Sequence, residues 1–267
     1  MSFMKETVLA LSDIGNSIKK YELFFMLGWQ DVKQRYRRSI VGPFWLTIGM
    51  GVMIGTIALV FSHIFKSDDT EFVPFLAVGI IIWTFISTAI IEGCSAFIAA
   101  EAVIKNLNLP FFIHILKLMW RNSIILFHNS IILVLMAFFY DIEIGVNLII
   151  SLLGFILLTL NLCWIVLILS CVCTRYRDLP QIVNSILQVV FYLTPIIWMP
   201  SVIADRTGFN LIDFNPIYHL IEIVRAPVLG MGIPYVSYAI CTLMLIFGSS
   251  ISLFVLSVSR RKIAYWL

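Results

Sequence analysis

The densest group of chemically active side chains lies just before the first long apolar run. The stretch 31–45 reads DVKQRYRRSIVGPFW and places Lys33, Arg35, Arg37 and Arg38 within six residues. Cations at the edge of a membrane lie at the height of lipid phosphates, and a guanidinium can bind two phosphate oxygens at once. This basic cluster therefore indicates a site for an anionic headgroup. The alternative is that these cations only set the orientation of the first span in the membrane.

A second set of polar side chains lies inside an apolar run. Gln181, Asn184, Gln188 and Tyr192 follow each other at steps of three or four residues, so a helix places them along one face. Polar groups within hydrocarbon face protein or water rather than lipid. This polar stripe predicts either a helix–helix contact formed by amides or the wall of a translocation path, and aromatic side chains beside Tyr192 could stack on sugar rings there.

Glu92 and two glycines are weaker signals. Glu92 is the one carboxylate inside an apolar run, which makes it either a functional group or a side chain that reaches toward the membrane surface. Gly51 and Gly55 form a GxxxG pattern in the first apolar run, and this pattern permits close helix packing.

The residue sets that membrane enzymes require are missing from the sequence. It contains no HExxH, no GxSxG and no GxxxxGK[ST] pattern, so it lacks the loop that binds ATP phosphates. His219 and Glu222 lie three residues apart but supply only two ligands, which is an incomplete metal site. The five cysteines show no CxxC spacing and are expected to be reduced. We therefore predict no catalytic residue, no metal site and no cofactor in this chain.

The elements that carry these groups follow from the composition. Of 267 residues, 61% are hydrophobic and only 12% are charged, which is far from the composition of a soluble domain. Without the alternating pattern of barrel strands, apolar runs of this length predict an all-α integral membrane protein with six transmembrane helices. The runs are 44–65, 72–98, 113–140, 146–174, 182–203 and 233–259.

The distribution of cations predicts the orientation in the membrane. Fifteen of the 18 Lys and Arg residues lie in the N-terminal segment, the second and fourth connections and the tail, which share one side of the predicted topology. Lys66, Arg206 and Arg225 lie on the other side. Because cytoplasmic loops carry the excess of Lys and Arg, both termini are expected in the cytoplasm. No basic domain for nucleic acid is present in the sequence.

Two segments are apolar without being spans. Residues 16–38 repeat apolar side chains at steps of three or four, which predicts an amphipathic helix in the cytoplasmic interface. Between the fifth and sixth runs, Asn215, Pro216 and Gly230 predict a short capped helix from 216 to about 229 that re-enters the membrane.

The predicted organisation has three parts. They are a cytoplasmic N-terminal segment (1–43), a six-span membrane domain (44–259) and a cytoplasmic tail (260–267).

Three sequence blocks resemble the ABC-2 type permeases that export O-antigen, capsule and teichoic acid polysaccharides. They are DVKQRYRRSIVGPFW at 31–45, LTPIIWMP at 193–200 and FNPIYHLIEIVRAPVLG at 214–230, in the order and at the distances of that family. The length, the six spans and the cytoplasmic termini agree with it, so the likeness covers nearly the whole chain. The third block is most similar to O-antigen permeases, although capsule exporters share much of it.

The resemblance implies a transport subunit rather than an enzyme. Such a permease is a homodimer in the bacterial inner membrane, paired with two copies of a separate P-loop ATPase that binds ATP and Mg. The implied cargo is an undecaprenyl-pyrophosphate-linked polysaccharide, with O-antigen as the first choice. The alternatives are an ABC-2 exporter of a small hydrophobic drug or lipid, an ATP-independent carrier, and a membrane-embedded glycan or lipid transferase.

The resemblance also implies roles for particular segments. The N-terminal amphipathic helix would be a cytoplasmic gate. Residues 96–107 would form a coupling helix that contacts the ATPase, and residues 201–230 would close the outer mouth of the channel. The candidate site residues, by role, are Lys33, Arg35, Arg37 and Arg38 for the lipid pyrophosphate; Trp45, Gln181, Asn184, Gln188, Phe191, Tyr192 and Trp198 for the channel; Glu101, Ile104 and Lys105 for the ATPase; and Asn215, Tyr218 and His219 for the outer gate.

Overall fold

The computed structural model is helical throughout its regular structure. It describes residues 3–37, 39, 41–42, 44–65, 69–140, 147–200 and 211–267, and this described part contains no strand. Helices satisfy their backbone hydrogen bonds internally, which hydrocarbon requires. The prediction of an all-α membrane protein is confirmed.

The described residues form twelve α-helices. In chain order, the first six are α1 (Phe3–Lys19), α2 (Tyr21–Tyr36), α3 (Phe44–Phe65), α4 (Asp69–Cys94), α5 (Ala96–Ala99) and α6 (Glu101–Asn106). The next six are α7 (Phe112–Asn129), α8 (Ile131–Phe139), α9 (Asn147–Arg175), α10 (Leu179–Leu193), α11 (Pro216–Val228) and α12 (Tyr235–Trp266), and a 3₁₀ turn at Leu211–Phe214 precedes α11. Prolines stand at the starts of α10 and α11, where their missing N–H is not needed.

Five stretches among the described residues are long and apolar enough to cross a membrane. They are Phe44–Phe61, Thr70–Cys94, Phe112–Phe139, Asn147–Arg175 and Tyr235–Trp266. The fifth predicted run instead begins with α10, whose 15 residues extend about 22 Å, less than the roughly 30 Å of hydrocarbon. Since that run continues into 201–203, outside the described residues, the count of six spans stays a prediction.

The central helix of the bundle is α4, which packs against α3, α7, α9, α10 and α11. Of the residues in its apolar stretch, 72% are buried, whereas in the corresponding stretch of α3 only 11% are buried. A helix that is apolar on every side is expected in the interior of a bundle or against lipid. Thus α4 forms the core, and α3 leaves most of its surface to lipid or to another protein.

The predicted single amphipathic helix over 16–38 is wrong in its boundaries. α1 ends at Lys19, and Lys20, with φ −89° and ψ 40°, separates it from α2, which ends at Tyr36. Hydrophobic periodicity continues through the break, so the pattern alone gave no sign of it.

A close contact fixes α2 against α7. Val32 is buried there, and a side chain at Gly28 would place its Cβ 2.8 Å from Cδ1 of Trp120. The ring of Trp120 also meets that of Phe25 edge to face, with centroids 4.6 Å apart. One face of the amphipathic α2 is therefore covered by protein, and its other face is exposed.

The short helix α11 forms with the predicted cap. The side-chain oxygen of Asn215 accepts hydrogen bonds from the backbone N–H groups of Ile217 (3.0 Å) and Tyr218 (3.3 Å). Its amide also donates to Oγ1 of Thr194 at 2.9 Å, which ties the helix to the end of α10. Gly230 follows with φ +70°, a conformation that favours glycine at a helix end. The helix boundaries agree with the prediction to one residue.

Glycine permits a tight contact between α9 and α11. A Cβ at Gly154 would collide with the carbonyl oxygen of Ile223. By contrast, a Cβ at Gly55 of the predicted GxxxG pair would meet no described atom within 4 Å, and one at Gly51 would meet only a methyl group at 4.0 Å. Among the described residues, Gly154 therefore lies at a close helix approach, whereas the GxxxG pair does not.

Replacing Gly154→Ala should destabilise the protein by about 1–3 kcal/mol, because backbone atoms of α11 must move away from α9. The measurement is the midpoint of thermal unfolding of the purified protein in mild detergent. Gly55→Ala is the matched control, since it lies in a helix with open space around it and should leave the midpoint unchanged or raised. Equal midpoints for the two variants would contradict the contact.

Candidate functional site

Five charged side chains join α2 to the ends of α4 and α7. Nη2 of Arg35 lies 3.1 Å from Oε1 of Glu92, and the other carboxylate oxygen of Glu92 binds Arg121. Asp31 binds Nζ of Lys117 at 2.9 Å and Nη1 of Arg121 at 3.5 Å. We call these residues the ion-pair network; in it, two carboxylates are shared among three cations.

The network lies at the surface of the bundle rather than in its core. Side-chain exposure ranges from 17% for Arg121 to 45% for Arg35. An exposed pair contributes about 0.2–1 kcal/mol, and several pairs that share partners contribute more. Arg121 is the central member, because it binds one carboxylate on α2 and one on α4. The network therefore positions α2 across the ends of two membrane-crossing helices.

Glu92 is explained by this network. It is neither an isolated carboxylate in hydrocarbon nor a side chain that only reaches for water, since two guanidinium groups bind it. Its partners lie 57 and 29 residues away in the sequence, so no local pattern could reveal them. Sequence reasoning missed Asp31, Lys117 and Arg121 as members of the site for the same reason.

The predicted basic cluster divides into two kinds of cation. Arg35 is held by Glu92, whereas the side chains of Lys33 and Arg37 are exposed and form no ion pair with any described residue. The ammonium of Lys33 lies 5.7 Å from the ring centroid of Trp29, where a cation–π contact orients it. Arg38 lies outside the described residues. Two exposed cations are thus presented beside an anchored third.

The predicted ATPase contact follows directly after the network. Only a few residues separate Glu92 from α5 and α6, and α6 carries Glu101, Ile104 and Lys105. Nζ of Lys105 binds Oε1 of Glu101 at 2.6 Å, and this hydrogen bond lowers the pKa of Glu101 below its usual value. Ile104 packs partly against the core. Both helices are short and leave much of their surface open.

Asp13 joins three elements at this same end of the bundle. Its carboxylate accepts hydrogen bonds from the backbone N–H groups of Phe111 (3.1 Å) and Phe112 (3.0 Å), and Nε of Arg260 lies 3.6 Å away. Burial raises the pKa of Asp13 above its usual 3.8, while these partners act in the opposite direction. A polar cleft of about 780 Å³ opens beside Asp13, and Lys105 is among its lining residues.

The polar stripe of α10 faces away from the rest of the single chain. Gln181, Gln188 and Tyr192 are exposed, and Asn184 is half-buried. A neighbouring face of α10 packs on α4, where the ring of Phe191 lies 5.5 Å from that of Trp83. The stripe is therefore free to face water or a second protein.

Two further aromatic residues predicted for the channel lie near exposed surfaces. The indole N–H of Trp198 donates to the carbonyl oxygen of Tyr192 at 3.2 Å, which places it beside the stripe. Trp45 is 66% exposed on the peripheral helix α3. No described contact joins Trp45 to the stripe within one chain.

The three predicted outer-gate residues lie together on and before α11. Asn215 caps the helix, and Tyr218 follows in its first turn. His219 is buried, with Nδ1 2.9 Å from Oγ of Ser237 and Nε2 2.8 Å from the carbonyl oxygen of Asp213. Both imidazole nitrogens are engaged, so His219 positions the helix rather than offering a metal ligand.

Arg225 is the residue of this region that sequence reasoning missed. It is fully buried, although the charge count only placed it on the side of the membrane with fewer cations. Its guanidinium binds Oε2 of Glu222 through Nε (3.0 Å) and Nη2 (2.6 Å), donates to the carbonyl oxygen of Pro195 at 2.7 Å, and lies 3.8 Å from the ring centroid of Phe75. A buried cation needs such partners to compensate for lost hydration. Arg225 thereby joins α11 to α4 and to the turn after α10.

The chain is similar along most of its length to membrane transport proteins. The model of the ABC-2 type transporter family matches residues 22–229. The O-antigen export system permease protein RfbA of Myxococcus xanthus is 24% identical over 212 residues, which cover 76% of this chain and 79% of that protein. A protein of the same name from Klebsiella pneumoniae is 20% identical over 205 residues, which cover 75% and 78%.

This chain belongs to the ABC-2 type transporter family. It is a multi-pass membrane protein and a transport permease, and the family resemblance predicted from its sequence blocks is confirmed.

Neutralising both carboxylates of the network, Asp31→Asn with Glu92→Gln, should loosen α2 from α7, because all four ion pairs are lost. The probe is a cysteine at Val32, which is only 4% exposed. Its rate of maleimide modification, quantified on the peptide that contains residue 32, should rise severalfold. Glu101→Gln, which breaks one exposed pair on α6, is the control and should have no effect. An unchanged rate in the double variant would show that the network does not hold α2.

Proposed function

We propose that this chain is the membrane subunit of an ATP-driven exporter that moves undecaprenyl-pyrophosphate-linked polysaccharide, namely O-antigen, across the bacterial inner membrane. The observation that supports it most is the cationic face of α2, which the ion-pair network holds at the ends of α4 and α7. Among the described residues, that end also carries the two short helices that follow Glu92. The names of the similar permeases support the cargo class.

The pyrophosphate would bind at the basic cluster. Lys33 and Arg37 are exposed and unpaired among the described residues, and guanidinium and ammonium groups at a membrane surface attract anionic headgroups. Arg35 would join them by exchanging one carboxylate oxygen of Glu92 for a phosphate oxygen, since Glu92 keeps Arg121 as a partner. Arg38, which follows directly in the sequence, would complete the site. Binding the headgroup here would place the glycan at the entrance of the path.

The polysaccharide would pass along the polar stripe in a homodimer. Gln181, Gln188 and Tyr192 are exposed in the single chain, and the membrane-facing surface of α3 is almost entirely open. A second copy that faced these helices would enclose a path with amides and aromatic rings on its wall. Amides can hydrogen-bond sugar hydroxyls, while Phe191, Trp198 and Trp45 would provide stacking surfaces.

ATP hydrolysis would reach the membrane through α5 and α6. In this proposal Glu101, Ile104 and Lys105 contact a separate P-loop ATPase, two copies of which bind ATP and Mg. Any displacement of α5 acts on the end of α4, where Glu92 holds α2. Both termini would then be cytoplasmic, as the cation distribution predicts.

The segment 201–230 would close the outer mouth of the path. Its described part contains α11, which Asn215 caps and Arg225 ties to α4. With the basic end of the bundle in the cytoplasm, α11 lies at the opposite end and re-enters the membrane from outside.

The rival functions make different demands on the structure. An exporter of small hydrophobic drugs or lipids would suit an apolar path, whereas α10 carries exposed amides at positions 181 and 188 and a half-buried amide at 184. An ATP-independent carrier would need no ATPase and often has an internal repeat, which the sequence does not show. A transferase would need a group of reactive side chains, and no such group was found in the sequence.

Purification of the tagged chain from its native membrane in mild detergent should yield a stoichiometric P-loop ATPase, identified by mass spectrometry. Depletion of the chain should make a lipid-linked glycan accumulate on the cytoplasmic face, and its composition would identify the cargo. A folded chain that comes without an ATPase in several detergents would favour the ATP-independent carrier. A complex with ATPase but no accumulated glycan would favour the exporter of small hydrophobic molecules.

Reversal of the two exposed cations, Lys33→Glu with Arg37→Glu, should reduce surface glycan at least tenfold, because the pyrophosphate loses its partners and meets two anions. The readout is surface glycan per amount of folded permease in the membrane. Lys19→Glu with Lys262→Glu is the matched control, since it makes the same charge change at exposed positions on α1 and α12. The charge-preserving pair Lys33→Arg with Arg37→Lys should retain export. Normal export by the reversed variant would exclude the basic cluster as the headgroup site.

A further inference from the structure

A cavity of about 480 Å³ lies between α4, α7, α8, α9 and the end of α11. Its lining is hydrocarbon except for the hydroxyls of Ser130 and Ser151. Both hydroxyls are already engaged, since Ser130 donates to the carbonyl oxygen of Leu126 at 2.9 Å and Ser151 to that of Val224 at 3.3 Å. Each hydroxyl can still accept a hydrogen bond, but two acceptors cannot supply the two to four polar partners that every water molecule filling this space would need. The cavity therefore favours an apolar occupant.

The cavity opens onto the membrane-facing surface of the bundle. Five lining side chains are more than half exposed, and they belong to helices that cross the membrane: Phe127, Val134, Leu148, Ile149 and Leu152. Behind this mouth lie buried lining residues, such as Phe85 and Met136, which form the floor. Because its mouth is continuous with the surface that lipid covers, the space is in contact with lipid hydrocarbon.

The position and length of the cavity match one leaflet of a bilayer. On α4 its lining extends from Pro74 to Phe85, on α7 and α8 from Leu126 to Ala137, and on α9 from Leu148 to Leu158. At 1.5 Å per residue each stretch covers about 15 to 17 Å, which is half of the roughly 30 Å hydrocarbon core. On α7 with α8 and on α9 the stretch lies in the half opposite the ion-pair network, and on α4 it ends seven residues before Glu92.

The volume also suits a chain of carbon atoms. An engineered apolar cavity of about 150 Å³ holds one benzene molecule, so this space holds about three times as much hydrocarbon. If it stayed empty, the side chains around it would lose their dispersion contacts on one side.

We propose that the cavity binds one acyl chain of a bilayer phospholipid, in the leaflet opposite the ion-pair network. The chain enters between α8 and the start of α9 and reaches Val224, Pro227 and Val228 of α11. It thereby fills the space between α11 and the membrane-crossing helices. The inference rests on the membrane-crossing helices alone and not on the proposed export function.

Photolabelling tests the site directly. The full-length protein is reconstituted into vesicles of phosphatidylethanolamine and phosphatidylglycerol that contain a trace of phosphatidylethanolamine with a diazirine in the middle of its acyl chain. After irradiation, labelled residues are mapped by peptide mass spectrometry. We expect label on the floor residues Phe85 and Met136, which ordinary surface lipid does not reach because they are 4% and 8% exposed.

Two neighbouring leucines supply a matched pair of variants. Leu152 and Leu153 are 54% and 58% exposed on α9, but only Leu152 lines the cavity. Leu152→Trp should reduce floor labelling severalfold, whereas Leu153→Trp should leave it unchanged. Ala137→Phe fills the cavity from the opposite wall and should reduce floor labelling as Leu152→Trp does. It replaces Leu152→Trp in the experiment if that variant does not fold.

Three results would overturn the proposal. Label confined to exposed residues, and equal in all variants, would show that no acyl chain enters. Floor label from a diazirine-bearing polyprenyl phosphate, but not from the phospholipid, would assign the cavity to an isoprenoid chain. Efficient disulfide formation between two copies with Leu148→Cys, together with an unlabelled floor, would show that protein covers the mouth.

Discussion

Hydrocarbon offers a polypeptide no hydrogen-bond partners, and this constraint fixes where each group of this protein can lie. Backbone N–H and C=O groups must pair within helices, so the apolar runs become α3, α4, α7 with α8, α9 and α12. Charged side chains must reach a helix end or find partners inside the bundle. The ion-pair network is an example of the first solution, and Arg225 is an example of the second.

At one end of the bundle, the charges compensate one another across helices. Arg121 of α7 binds a carboxylate on α2 and another on α4, and Arg35 of α2 binds the same carboxylate on α4, so α2 is held by partners on two membrane-crossing helices. The same arrangement leaves Lys33 and Arg37 exposed on the outer face of α2. The exposed cations of α2 and the end of α4, which α5 follows in the chain, are thus parts of one connected structure.

At the other end, a single buried guanidinium organises the structure. Arg225 is stabilised by Glu222, by the carbonyl of Pro195 and by the ring of Phe75, and these contacts join α11 to α4 and to the turn after α10. The absence of a side chain at Gly154 lets α11 approach α9 closely. The end of α11 is less tightly packed, since it borders the apolar cavity. The two ends of the bundle therefore differ in what holds them together. Ion pairs between partly exposed side chains join the helices at one end, and a buried arginine and close helix packing join them at the other.

The sequence by itself determined the all-α membrane class, the positions of five membrane-crossing helices and the capped start of α11, because these depend on composition, run length and neighbouring residues. The family could also be recognised from three local blocks. Only the tertiary structure decided the break at Lys20, the partners of Glu92 and the burial of Arg225. The partners of Glu92 are distant in the chain, and the burial of a cation depends on the elements that fold over it, so neither leaves a periodic signal in the sequence.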